Sequence, residues 1–184
     1  MKKCILLSAL ALSGVFISGS AFSQATSSTN VKIVLSDFIT TENGAGTTAG
    51  QTPGAGAEVL FEYPDAASYT ALKTVNQPGH LKVTATKTFQ VTVKAMGTDF
   101  VHSTTPANLI PVSVVDIVPT APGSGTATTV TLSDAEQVIL SGVDPGIKTI
   151  SVDYRIPAAK AQASILGKPS GTYQQVVVYT FSQP

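Results

Sequence analysis

The chain has 184 residues, one cysteine, no tryptophan, and equal numbers of basic and acidic side chains, 11 of each. With 12% charged residues and no Lys/Arg cluster, it lacks the basic stripe of a nucleic acid binder and the basic amphipathic helix of a lipid-surface protein. A single cysteine closes no disulfide within the chain and builds no thiolate metal site.

Met1-Lys2-Lys3 precedes an apolar run over residues 4–17, interrupted by Ser8, Ser13 and Gly14, and small residues continue to Ala21-Phe22-Ser23. A basic start, a short apolar core and a small-residue site are the parts of a secretory signal peptide, so residues 1–23 are expected to be removed. A membrane-spanning helix needs about 20 apolar residues, more than this run supplies. Cys4 stands before the apolar core, not at its end, so it is not placed to accept a lipid and leaves with the signal. Removing 23 of 184 residues leaves 161, numbered 24–184, with 9 basic and 11 acidic side chains. A chain of that size buries about 68–70% of its unfolded surface as one domain.

Residues 24–30 are small and polar and read as a flexible leader. Val31, Ile33 and Leu35 then alternate with Lys32, Val34 and Ser36, the period-2 pattern of a half-buried strand that runs on toward Phe38 and Ile39. Residues 40–57 hold six glycines or prolines in eighteen positions and read as a loop; neither phosphate-cradling glycine motif is present. Residues 58–63 form a second strand, stopped by Pro64-Asp65, while 65–75 fit either a short helical turn or a strand.

After an expected turn at Asn76-Gln77-Pro78-Gly79, Leu81, Val83 and Ala85 are in phase, and then Phe89, Val91 and Val93. Thr- and Val-rich runs of this kind suit a pleated surface with one wet face. Residues 109–118 are mostly β-branched and apolar and read as a buried strand, with Pro111 marking an edge or bulge near its start. Short strands follow at 129–132 and 138–140, and Asp144-Pro145-Gly146 is a turn. Ile150, Val152, Tyr154 and Ile156 alternate up to Pro157, residues 158–166 are helix-compatible, and 171–182 form a long terminal strand. Eight or nine short strands between Gly/Pro/Asp turns indicate an all-β fold, an antiparallel β-sandwich of about eight strands.

No catalytic constellation is found. The two histidines, His80 and His102, read as surface loop residues without a second ligand at metal spacing. No nucleophile elbow surrounds a serine, and Asp37, Glu42, Glu58, Glu62, Asp99, Asp116 and Asp153 include no pair singled out for acid–base work. The chain is therefore expected to be no enzyme, with no catalytic, cofactor-binding or metal residues.

The last strand opens with Gly171, the fourteenth residue from the end, and carries Tyr173, Val177, Tyr179 and Phe181 behind it. This ending resembles that of chaperone-usher pilins, and the region 147–181 is similar to secreted β-sandwich domains of Gram-negative bacteria. The penultimate residue is Gln183 where the pilin pattern has an aromatic, and the paired cysteines of many pilins are absent. The resemblance implies an immunoglobulin-like sandwich, a periplasmic chaperone and identical or related subunits as partners, and a neighbour that supplies a missing strand. Val31, Ile33 and Leu35 are then the candidate assembly strand, either donated to a neighbour or kept as the first strand of the chain's own sandwich. The expected role is an exported structural or adhesive subunit in the periplasm, on the cell surface or outside the cell. The alternative is a monomeric glycan-binding module on the same fold.

Overall fold

A computed structural model describes residues 25–35 and 58–183. The signal peptide and the glycine-rich loop expected over 40–57 lie outside the described residues, as does the continuation of the first strand through 36–39. No helix among the described residues is long and apolar enough to cross a membrane.

The fold is all-β, with two sheets packed as a sandwich and one short helix. In chain order the strands are β1 (Ala25–Leu35), β2 (Glu58–Tyr63), β3 (Lys73–Ala85), β4 (Phe89–Ala95), β5 (Asp99–His102) and β6 (Leu109–Pro111). They continue as β7 (Asp116–Pro119), β8 (Thr126–Ala127), β9 (Val130–Thr131), β10 (Gln137–Val143), β11 (Gly146–Ile156) and β12 (Gly171–Ser182). The helix α1 (Ala158–Ser164) sits between β11 and β12. The larger sheet runs β2-β1-β12-β4-β10-β8, with β5 beside the first half of β12 and β6 on β5; the smaller runs β3-β11-β7-β9.

On β11 and β12 alternation decides which face is buried. On β12 the residues Tyr173, Val177, Tyr179 and Phe181 point inward, and on β11 Ile150, Val152, Tyr154 and Ile156 meet them from the facing sheet. On β4 the inward residues Val91 and Val93 stand opposite Phe181 and Tyr179. All five tyrosines and the four described phenylalanines, Phe61, Phe89, Phe100 and Phe181, are buried. The aromatic residues therefore supply the interior of a sandwich that has no disulfide to hold it.

Three segments depart from the sequence reading. Residues 25–30, expected as a flexible leader, are strand: the register begins at Ala25 opposite Phe181 and runs without a break to Leu35 opposite Gly171. A polar sequence is held extended here because the backbone ladder of β12 and one buried hydroxyl, that of Thr29, take up its hydrogen-bonding groups. The run 109–118 is not one strand. It leaves the larger sheet at Pro111, makes a 3-10 turn over Val112–Val114, and enters the smaller sheet as β7, so its apolar residues line the crossing.

The turn expected at Asn76–Gly79 is instead a bulge within β3. Gln77 pairs with Val152 and Leu81 with Ile150, which leaves Pro78, Gly79 and His80 opposite Ser151 alone. Gly79 takes a positive φ of 61°, open to glycine at little cost, and its N–H donates to the Ser151 hydroxyl at 3.1 Å.

Candidate functional site

The two sets of residues picked from sequence lie side by side in one chain. Ile33 stands opposite Tyr173 and Thr29 opposite Val177, Ser27 opposite Tyr179, Ala25 opposite Phe181 and Leu35 opposite Gly171. Val31 and Ile33 are fully buried. On its other side, from Asn30 to Leu35, β1 pairs with β2 in parallel, Val31 opposite Val59 and Leu35 opposite Tyr63. The candidate assembly strand thus fills the slot between the C-terminal strand and β2 of its own sandwich. On the outer face Lys32 and Glu58 tie β1 to β2 by an ion pair of 3.0 Å, a modest contribution at such exposure.

Gly171 fits the start of β12 for a steric reason. Its φ is +141°, and a Cβ at that position would overlap the His102 imidazole. His102, expected on the surface, is buried. Its Nδ1 accepts from the backbone N–H groups of Thr105 at 3.0 Å and Thr104 at 3.2 Å, which places the ring proton on Nε2, and Nε2–H donates to the Ser170 carbonyl at 2.9 Å. The ring meets Tyr173 edge to face, with centroids 4.8 Å apart. The Tyr173 hydroxyl donates to the Pro169 carbonyl at 2.9 Å, so the start of β12 is anchored on both sides.

His80 is likewise buried, at 4% exposure, a correction to its reading as a loop histidine. Alternation would turn it outward with Lys82 and Thr84; the bulge in β3 turns it in. There Nε2 shares hydrogen bonds with the Thr29 hydroxyl of β1 at 3.0 Å and the Tyr154 hydroxyl of β11 at 2.8 Å, and Tyr154 bonds the Tyr179 hydroxyl of β12 at 2.6 Å. Four strands from both sheets meet in this polar cluster. Nδ1 has no hydrogen-bond partner among the described residues. Burial lowers the His80 pKa from its ordinary value to about 4 and raises those of Tyr154 and Tyr179. The ring is neutral at pH 7, and both phenols stay protonated as hydrogen-bond donors.

Sequence reasoning missed Thr29, His80 and Tyr154 as a group. A Pro-Gly pair inside an otherwise alternating Thr/Val run was the available signal, because it marks a bulge as readily as a turn.

Of the acidic residues noted in the sequence, Asp116 and Asp153 lie on adjacent strands of the smaller sheet, and each is paired with a basic side chain. Asp116 bonds Lys160 at 2.6 Å, Asp153 bonds Arg155 at 2.8 Å, Glu58 bonds Lys32, and Asp99 accepts from the neighbouring Thr98 hydroxyl; Asp37 and Glu42 lie outside the described residues. No group of three metal-ligating side chains is found among the described residues.

No protein-family model matches the chain, and no curated protein matches it. Among solved structures it is similar to an antigen and type I fimbria protein of Burkholderia pseudomallei. The two share 15% identity and a TM-score of 0.35 over 88% of this chain and 99% of that one.

Proposed function

We propose that this chain is a non-enzymatic, exported structural subunit of the bacterial surface, and that copies assemble by exchanging β1. In the lone subunit β1 fills its own slot, and in the assembly a neighbour's β1 fills it. The observation that carries this reading is the position of β1: an N-terminal strand, paired along its whole length with the C-terminal strand and inserted between it and β2. Withdrawing it uncovers two rows of backbone hydrogen-bonding groups and the places of Val31 and Ile33. Burial of each of those side chains is worth about 1.5–3 kcal/mol.

An identical strand restores the same ladder and the same side chains in the same register. Exchange between copies therefore costs little in contact energy and is governed by concentration. The 22 residues numbered 36–57 between β1 and β2 span at most about 80 Å when fully extended, a reach that permits a strand to leave for a neighbour. Because each copy gives β1 and receives another, the contact is head-to-tail and propagates as a filament unless it closes into a ring. The placement of the described aromatic side chains supports this reading over a glycan-binding module, since none of them is left exposed to stack on a sugar.

A disulfide trap tests the reading. Ser28 and Val178 are register partners on the outer side of the β1–β12 ladder. In the S28C/V178C variant, oxidation of the dilute protein should link β1 to β12 within one chain, and oxidation after concentration should give a ladder of covalent multimers on a non-reducing gel. Links that stay within single chains after assembly would overturn strand exchange.

A further inference from the structure

The two halves of β1 are held differently. Residues 30–35 lie between β12 and β2 and bury Val31 and Ile33, whereas 25–29 pair, among the described residues, with β12 alone. That first half reads Ala-Thr-Ser-Ser-Thr, and of its described side chains only Thr29 is buried. With so little apolar area to bury, its polar attachment to the facing sheet, among the described residues, is the Thr29 hydroxyl, which shares a hydrogen bond with His80 and also reaches the Tyr154 hydroxyl.

We propose that His80 is a proton-operated latch on the first half of β1: the neutral ring holds Thr29, and a proton on the ring releases residues 25–29 from the sandwich. If β1 is the assembly strand, which rests on the reading above, release gives an incoming strand a place to begin pairing on β12.

The geometry explains why the ring tolerates only its neutral form. Neutral imidazole carries one proton, and Nε2 serves the Thr29 and Tyr154 hydroxyls as acceptor or donor. The imidazolium is a donor at both nitrogens. Protonation therefore either adds an Nδ1–H that has no acceptor among the described residues or turns Nε2 from an acceptor of the Thr29 and Tyr154 hydroxyls into a donor, and in both cases it buries a charge. The titratable groups facing the ring are Tyr154 from β11 and Tyr179 from β12, each meeting it edge to face at 5.6 Å, while β1 presents Thr29. No carboxylate among the described residues is hydrogen-bonded to it. A buried cation without a counter-charge is expelled or neutralised.

The cluster opens at its weakest member. β3 and β11 pair over ten register positions, and β12 is flanked on both sides, but 25–29 is a strand end with a described ladder on one side only. Such ends open at the lowest free energy in a structure. The held ring titrates at about 4 and a released one near its ordinary 6.5. Above about 6.5 neither form binds the proton and the latch is closed. Between about 6.5 and 4 only the released form does, so opening grows as pH falls. Below about 4 both forms are charged and the effect levels off. The open population rises by on the order of tenfold to a hundredfold across that window.

Amide hydrogen exchange of the purified protein at pH 7 and pH 4.5, corrected for the intrinsic pH dependence, reads this directly. Protection over 25–29 should fall on the order of tenfold or more at pH 4.5 while that of β4 holds. His80→Phe should abolish the local response. Thr29→Val, which keeps the ring and the shape, should lower protection at pH 7 and flatten the response. An equal fall in β1 and β4, or an undiminished fall in either variant, overturns the latch. A labelled peptide of residues 25–35 separates this inference from the subunit reading. Local release at pH 4.5 without peptide uptake keeps the latch and sinks strand exchange, whereas uptake at equal rates at both pH values keeps strand exchange and sinks the latch.

Discussion

Gly171 lies against the imidazole of His102, with φ at +141° and no space for a Cβ between the backbone and the ring. Both the backbone conformation and the close approach call for glycine at the start of the C-terminal strand. Gly171→Ala adds backbone strain of about 1–3 kcal/mol and displaces a histidine whose two nitrogens are both hydrogen-bonded. The expected loss is about 3 kcal/mol, seen as a fall in Tm of roughly 6–12 °C by circular dichroism. An unchanged Tm would show that His102 can move aside freely.

The strands with regular alternation were legible in the sequence almost to the residue, β2 and β12 among them, because one buried face writes itself as every second side chain. Legibility failed where the backbone departs from that period. The bulge at Pro78-Gly79 moves His80 from the wet face to the core, and nothing in the pattern of β3 alone reveals which partner strand absorbs the extra residues. Residues 25–30 carry no apolar pattern, because their strand conformation is held by the β12 ladder and the partner of Thr29 lies 51 positions away. The run 109–118 is mostly apolar because it crosses between sheets, a course that composition does not distinguish from a central strand.

The start of β1 bears on processing. Cleavage after Ser23 leaves Gln24 alone ahead of Ala25, where the described residues begin, already paired with β12. Intact-mass measurement on protein from the exported fraction should show a chain lacking residues 1–23. Retention of Met1 would overturn the signal-peptide reading.

Val91 is fully buried on β4, opposite Phe181 on one side and Leu140 on the other. Val91→Asp places a carboxylate there without a partner, a cost of several kcal/mol against a typical domain stability of 5–15 kcal/mol. The variant is expected to be insoluble or unfolded, whereas Val91→Ala folds with a loss of about 2 kcal/mol. A soluble Val91→Asp protein with the parent's Tm would mean that this face of β4 is wet.

The hydroxyls of Tyr154 and Tyr179 are 2.6 Å apart, and Tyr154 also bonds His80. Tyr154→Phe leaves the Tyr179 hydroxyl buried without that partner, and the desolvation penalty of such a group is about 1–3 kcal/mol. Tyr179→Phe removes the same bond from the other end, while Tyr154 keeps His80 as a partner, so its loss is expected to be smaller. In the Tyr154→Phe/Tyr179→Phe double variant neither hydroxyl remains to be satisfied. Its loss of stability should fall short of the sum of the two single losses by about 1 kcal/mol. Urea unfolding of the four proteins at pH 7 gives the cycle, and pH 7 keeps His80 neutral in every one of them. Additive losses would mean that water or another group satisfies the Tyr179 hydroxyl once Tyr154 is gone, and that the two sheets are not coupled through this pair.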